Sequence, residues 1–279
     1  MSRNLCRHFL QQAELVWRAI EDADKFKLAF GEETITETLL LELRRRYKKN
    51  IRVDSFDKFE ESNNGADWEW WFGHGTSWIG MRVQAKRIKL PEEKFASLFY
   101  QGKNATQLQI ENLIAEAKSA RLIPVYCFYT HSKKLPAIGS RYFHCYRGWN
   151  GPFHAYGCMI AHAETILYKG SMNLSDIVPI SFPWHCLVCE CQYDKLSAFP
   201  PFDTAQNIYD LLKRTSSLAD EREDRDPDFQ PEIFEPRSEL PEHMQMLYRD
   251  IAQSDDMLRR HAEEWDLGGL MLIDTGGRH

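Results

Sequence analysis

The fold is decided by residues 66–88, which read ADWEWWFGHGTSWIGMRVQAKRI. This stretch holds a tryptophan-rich run at 66–72, a turn signal at Gly73-His74-Gly75, and a run at 78–88 in which apolar and polar residues alternate. Alternate residues of a strand face opposite ways. The polar residues on one face of the second run are Arg82, Gln84 and Lys86. The stretch therefore predicts two adjacent strands joined by a tight turn.

The flanking segments complete an alternation of helices and strands. Apolar residues recur at helical spacing on both sides of the hairpin, and an unbroken apolar run at 122–129 is typical of a buried strand. The predicted elements are helices at 1–29, 32–49 and 105–121, and further strands at 50–59 and 122–129. We therefore expect an α/β fold with the order helix, three strands, helix, strand.

The second half of the chain has a less regular pattern. The predictions there are a helix at 155–167, a strand at 187–191, a short helix at 204–214 and a helix at 242–264. Residues 215–241 are charged and contain four prolines, which is typical of a linker, and the glycine-rich end is expected to be loose. We divide the chain into an α/β domain at 1–200 and an acidic linker with a C-terminal helix at 201–279.

Composition excludes several protein classes. Of the 279 residues, 43% are hydrophobic and 13% aromatic, which is enough to build a core and argues against general disorder. No apolar run approaches the roughly 20 residues of a membrane-spanning helix, and the first residues lack a secretory signal pattern. The seven scattered cysteines are then expected to be free thiols in a reducing compartment, the cytoplasm.

The charge is unevenly distributed. Residues 201–279 hold 19 acidic and 9 basic side chains, and the other 22 acidic and 26 basic side chains lie in residues 1–200. The net charge of −6 therefore does not argue against a polyanionic partner for the first part of the chain.

The predicted hairpin also carries the chemistry. Asp67 and Glu69 share one face of the first strand, and Gln84 and Lys86 share one face of the second, so all four converge if the register allows. Carboxylates suit a hard divalent cation, and a nearby ammonium group can position water or stabilise developing charge. Glu37 on the preceding helix is a candidate third acid, with Glu33 one turn before it. This set of groups suits metal-assisted phosphodiester hydrolysis.

The element order, with Asp67 and Gln84-x-Lys86 on adjacent strands, resembles the PD-(D/E)XK nuclease superfamily over residues 30–131. It is also similar, to about residue 191, to a bacterial family of unknown function associated with that superfamily. The segments that carry the resemblance are ETITE at 33–37, NGADWEWW at 64–71, VQAK at 83–86 and PVYCFY at 124–129.

The resemblance implies a restriction-endonuclease-like core with a C-terminal extension and a helical acidic tail. It also implies a Mg²⁺- or Mn²⁺-dependent endonuclease acting on DNA, in a bacterial defence or mobile-element setting, with a homodimer as one option. Asp67 matches the metal-binding aspartate, Lys86 the motif lysine and Glu37 the first-helix glutamate. Two positions depart from the motif, because Ala66 replaces its proline and Gln84 stands where an acid is usual. Glu69 is placed to supply the missing charge as a metal ligand.

Several features have a second interpretation. Arg44, Arg45, Arg46, Lys48, Lys49 and Arg52 either follow a nucleic-acid backbone or only complement a helix end. The tryptophans favour core packing over base stacking. The superfamily often has a glutamine near the start of the second helix that reaches the site, but Gln107 and Gln109 fit a plain polar face better. Cys186, Cys189, Cys191 and His185, with His144, Cys145, His154, Cys158 and His162, admit a zinc site, although buried free thiols are preferred.

Two rival functions remain beside the nuclease. One is a nucleic-acid-binding module that has lost catalysis, with Gln84 as the lesion. The other is an interaction protein in which the acidic segment at 215–264 contacts a partner or covers a basic groove of the same chain.

Overall fold

The tryptophan-rich hairpin forms the middle of a seven-stranded mixed sheet. The computed structural model describes residues 2–56, 68–102, 106–135, 153–189, 202–218, 229–249 and 255–276. Strands β2 (Trp68–His74) and β3 (Ser77–Arg87) pair antiparallel, from Trp68↔Val83 to His74↔Ser77. Gly75, in the two-residue turn between them, has a φ of +58°, which glycine adopts without strain.

The strand order is β1-β7-β2-β3-β4-β5-β6. The remaining strands are β1 (Ile51–Ser55), β4 (Ile123–Tyr129), β5 (Cys158–His162), β6 (Phe182–Pro183) and β7 (Gly269–Asp274). Strand β4 runs parallel to β3, and β7 runs parallel to β2 but antiparallel to β1. The other neighbouring pairs are antiparallel.

Eight α-helices lie in the described part of the chain. They are α1 (Ser2–Phe26), α2 (Glu32–Arg46), α3 (Gln109–Ser119), α4 (Ala163–Lys169), α5 (Leu174–Ile177), α6 (Thr204–Ser217), α7 (Glu242–Arg249) and α8 (Asp255–Glu264). Short 3₁₀ helices occupy Phe153–Gly157, Val178–Ile180 and Trp184–Val188. No described helix is both long and apolar enough to cross a membrane.

The α/β class and the predicted order of helix, three strands, helix and strand are both found in the structure. The tryptophans of the hairpin pack in the core, as preferred: Trp68, Trp70, Trp71 and Trp78 are at most 7% exposed. Gly80 makes room for one of them, because a Cβ atom there would lie 2.6 Å from the Trp71 ring.

Two predictions between residues 155 and 191 were wrong. The helix predicted at 155–167 is a 3₁₀ turn, the strand β5 and then the short helix α4. All five residues of β5 are buried between β4 and β6, so the strand lacks the alternation that marks a half-exposed strand. The described part of the strand predicted at 187–191 is not a strand, because Leu187 and Val188 belong to the 3₁₀ helix Trp184–Val188. Residues 190 and 191 lie outside the described residues.

The C-terminal part differs most from expectation. The loose glycine-rich end is the buried strand β7, inserted between β1 and β2. The helix predicted at 242–264 is two helices, α7 and α8. The described end of the predicted linker, residues 229–241, packs on the sheet: Trp78 and Arg237 form a β-bridge. Both segments of our division at residue 200 thus contribute strands to one sheet.

Candidate functional site

One face of the β2–β3 hairpin carries a row of buried polar residues. Glu69 and Arg82 are cross-strand partners and therefore share a face, which alternation extends along β3 to Gln84 and Lys86. Their exposed fractions are 1%, 0%, 2% and 5%. Charged residues are rarely buried to this degree unless they are paired or have a function, so this row is the candidate site.

The row has two ends. With a rise of about 3.3 Å per strand residue, Arg82 and Lys86 stand roughly 13 Å apart along β3. Glu69 faces Arg82 across the hairpin, whereas Gln84 and Lys86 lie two and four residues further along β3. We therefore distinguish the Lys86 end, consisting of Gln84, Lys86 and Gln109, from the Glu69 end, consisting of Glu69, Trp71, Arg82, His243 and His261.

At the Lys86 end, the ammonium group is held by the first residue of α3. Lys86 Nζ donates a hydrogen bond to Gln109 Oε1 at 2.8 Å. The preference for a plain polar face was thus wrong for Gln109, which does reach the row. Gln84 Oε1 is buried without a hydrogen-bond partner among the described residues. An unpaired buried carbonyl is costly, so Gln84 Oε1 can accept a hydrogen bond from a donor or bind a cation.

At the Glu69 end, three donors converge on one carboxylate. Trp71 Nε1 and His243 Nε2 lie 2.7 and 2.8 Å from Glu69 Oε1, and His261 Nε2 lies 3.3 Å from Oε2. The two imidazole rings stack with their centroids 3.6 Å apart. His243 comes from α7 and His261 from α8, so the C-terminal helices cover this part of the sheet.

Arg82 supplies the buried positive charge of the Glu69 end. Its Nη2 lies 3.6 Å from Glu69 Oε2, and its guanidinium carbon lies 5.1 Å from the centroid of the Trp265 ring. Its nitrogens have no hydrogen-bond partner among the described residues. Burial lowers the pKa of Arg82, against the raising effect of Glu69 and Glu116. The attraction between Arg82 and Glu69 is thus an ion pair without good hydrogen-bond geometry.

The carboxylate of Glu69 is strongly held in its charged form. Burial raises its pKa, but the hydrogen bonds from His243 and His261 and the charges of His243 and Arg82 together outweigh burial. The pKa of Glu69 therefore lies well below its usual range. Burial raises the pKa of the neighbouring Glu116, which Arg82 counteracts.

Glu69, His243 and His261 could hold a metal ion. Their ligand atoms all lie within 4.8 Å of one another, and this is the one such group of three found in the described part of the chain. Sequence reasoning identified Glu69 but missed both histidines. They lie more than 170 residues away from Glu69, and only the placement of α7 and α8 brings them there.

The other predicted site residues are distributed as follows. Asp67 lies outside the described residues, immediately before β2. Glu37 and Glu33 are exposed on α2. The neighbouring Thr36 binds the hydroxyl of Tyr129, which lies on the face of the sheet opposite Glu69. The structure thus does not bring Glu37 to the polar row, and its predicted role stays a prediction.

The basic run lies at the end of α2 and the start of β1. Arg45, Arg46, Lys48 and Lys49 are exposed, while Arg44 and Arg52 are partly buried and donate to the carbonyl oxygen of Lys48. Both interpretations of this run, nucleic-acid contact and helix-end complementarity, remain open.

The cysteine predictions hold only in part. Cys127, Cys158 and Cys186 are buried and not disulfide-bonded, and Cys6 is partly buried and not disulfide-bonded either. Cys189 is disulfide-bonded, so the prediction of a free thiol was wrong there. Cys145, Cys191 and His144 lie outside the described residues. Burial lowers the pKa of His162 to about 3 and that of His185 to about 4, as in neutral core histidines.

Comparison with known protein families gives one match. A family model described as a family of unknown function (DUF6615) matches residues 5–274. The chain belongs to this family. No curated protein and no solved structure matches it.

Proposed function

We propose that the protein is a divalent-metal-dependent nuclease, with DNA as the first substrate to test. The observation that carries this proposal is the Lys86 end. There, a buried ammonium group held by Gln109 lies next to a buried side-chain carbonyl without a partner. Burying such groups in a core costs free energy, whereas beside a phosphate an ammonium group stabilises the negative charge.

The donor set of the Lys86 end fits a hard cation such as Mg²⁺ or Mn²⁺. Gln84 Oε1 is a buried oxygen without a partner among the described residues, and the sequence assigns Asp67 as the carboxylate that supplies charge. Of the other predicted acids, Glu69 belongs to the Glu69 end and Glu37 is not brought to the row. When bound, such an ion activates water and neutralises charge on the phosphate. Lys86 would position the attacking water and stabilise the charge of the transition state, and Gln109 would position the ammonium group.

Topology supports a restriction-endonuclease-like core. Strand β3 is antiparallel to β2 and parallel to β4, with α3 making the connection to β4. Gln84 and Lys86 lie on the central strand of these three. The exposed basic residues Arg45, Arg46, Lys48 and Lys49 would contact the nucleic-acid backbone. Defence against foreign DNA in the bacterial cytoplasm, with a homodimer as an option, is the setting that we propose from the family resemblance.

A cleavage assay tests this proposal. The full chain is incubated with supercoiled plasmid, single-stranded DNA or RNA, in Mg²⁺ or Mn²⁺, beside Lys86→Ala and Lys89→Ala. Lys89 is exposed just beyond the end of β3, so it is a matched control. We expect at least a hundredfold loss of cleavage rate for Lys86→Ala, roughly the size of a lost electrostatic contact to the transition state, and none for Lys89→Ala. Equal cleavage by wild type and Lys86→Ala over a wide range of metal concentration would refute the proposal.

A second candidate is a nucleic-acid-binding module without catalysis. It is favoured by the neutral Gln84 at a position where the superfamily has an acid. In that case the protein binds DNA without cleaving it, and Asp67→Asn leaves the affinity unchanged. Metal-dependent cleavage in the assay above would exclude this candidate.

A further inference from the structure

We propose that Glu69, His243 and His261 form a binding site for one divalent transition-metal ion, with Zn²⁺ as the first ion to test. The ion would join α7 and α8 to the central sheet. This inference does not rest on the proposed nuclease activity, because its three ligands are not members of the Lys86 end and the test below measures metal binding alone.

The separations between the donors fit a coordination shell. Zinc binds imidazole nitrogen and carboxylate oxygen at about 2.0–2.2 Å, so tetrahedral ligands stand roughly 3.3 Å apart. His261 Nε2 is 3.3 Å and His243 Nε2 is 2.8 Å from the nearest Glu69 oxygen. Only small side-chain movements are then needed to admit an ion between the three groups.

The carboxylate of Glu69 is held in place by its surroundings in the sheet. Glu69 lies in the middle of the sheet, between β3 and β7, with 1% exposure. Trp71 Nε1 donates to Glu69 Oε1 at 2.7 Å, a supporting contact of the kind that orients metal ligands. The imidazoles of His243 and His261 are 16% and 17% exposed, so an ion could reach them from solvent.

The type of donor decides the class of metal. Imidazole nitrogen suits zinc, copper, iron and nickel, whereas Mg²⁺ prefers oxygen ligands and keeps several waters. A site with two imidazoles and one carboxylate therefore selects a transition metal, unlike the oxygen donors at the Lys86 end.

Metal titration of the full chain tests the inference. The protein is stripped with a chelator and titrated with Zn²⁺, or with Co²⁺ as a spectroscopic probe, in a background of millimolar Mg²⁺. We expect one tight equivalent and visible Co²⁺ absorption bands typical of nitrogen and oxygen donors, with no competition from Mg²⁺. His243→Gln and His261→Gln should each weaken binding more than about a hundredfold, beyond the cost of losing a mere supporting contact.

The matched control is His154→Gln. His154 is a partly exposed histidine that contacts Glu14, away from this site. Its replacement should leave both the tight equivalent and the Co²⁺ spectrum unchanged. The inference is overturned if the wild type binds no tight equivalent, or if the double variant His243→Gln/His261→Gln binds as tightly as the wild type. Cleavage of nucleic acid plays no part in either outcome.

Discussion

Arg82 has none of its side chain exposed, so its charge must be balanced inside the protein. Glu69 provides this balance, at 3.6 Å, and in turn receives hydrogen bonds from Trp71 and two histidines. Replacing a buried ion pair with apolar residues is often neutral for stability, whereas removing one partner is costly. The presence of the pair is therefore weak evidence for a stabilising role, and we interpret it as part of the candidate site.

The depressed pKa of Glu69 predicts a pH dependence of stability. Because the folded pKa lies below the unfolded value of about 4.3, ionised Glu69 contributes stability above that pH, and the contribution is lost as pH falls toward the folded pKa. Glu69→Gln should cost about 3–5 kcal/mol at pH 6, since it also leaves Arg82 unpaired. The difference from wild type should shrink between pH 5 and pH 3.

Urea unfolding at several pH values measures this difference. The exposed Glu239→Gln is the matched control, and its difference from wild type should be near zero at each pH. A Glu69→Gln difference that stays constant from pH 6 to pH 3 would show that the carboxylate is not held in its charged form as described.

At the scale of elements, β7 is a strand that its sequence pattern does not predict. Leu270, Met271, Leu272 and Ile273 form a fully buried run of only four apolar residues, flanked by glycines and Asp274. A short apolar run near a chain end has no periodicity that separates it from a loose tail. Only pairing with β1 and β2, more than 190 residues earlier in the sequence, defines it as a strand.

Because β7 lies between β1 and β2 in the sheet, we expect substitutions of its buried residues to lower the free energy of unfolding. Leu272 is fully buried and lies beside Trp71 in the neighbouring strand. Leu272→Ala should lower the free energy of unfolding by about 2–5 kcal/mol through lost burial and the cavity left behind. Denaturant unfolding measures the change.

Leu28→Ala is the control for this prediction, because Leu28 is 66% exposed. It should change the free energy of unfolding by no more than about 0.5 kcal/mol. Equal effects of the two substitutions would mean that the C-terminal strand is not part of the sheet.

For the molecule as a whole, the sequence was most informative where the structure is local. The hairpin's alternation placed Gln84 and Lys86 on one face of their strand, and the register Glu69↔Arg82 adds Glu69 to that face. The histidines of the Glu69 end could not be predicted, because they lie on α7 and α8, far along the chain from Glu69. Gln109 was an intermediate case. The family resemblance suggested a glutamine near the site, but the contact of Gln109 with Lys86 depends on how α3 packs on the sheet.

The C-terminal segment bears on the third functional hypothesis, that of an interaction protein. The C-terminal segment does cover part of the same chain, through His243 and His261. What it covers is a buried carboxylate and its guanidinium partner rather than an exposed basic groove.

The most direct test of a cation at the Lys86 end is the response of Gln84→Glu to Mg²⁺. This substitution places an acid two residues before Lys86, as in the nuclease motif that the sequence resembles, and buries a carboxylate whose charge an ion would balance. We predict that 5 mM Mg²⁺ raises the unfolding temperature of Gln84→Glu by at least about 3 °C more than that of wild type, as expected for about 1 kcal/mol of added binding free energy. The exposed Gln107→Glu should respond like wild type. If Mg²⁺ leaves Gln84→Glu unchanged, the Lys86 end is not a metal site, and the account of the polar row as a nuclease centre is wrong.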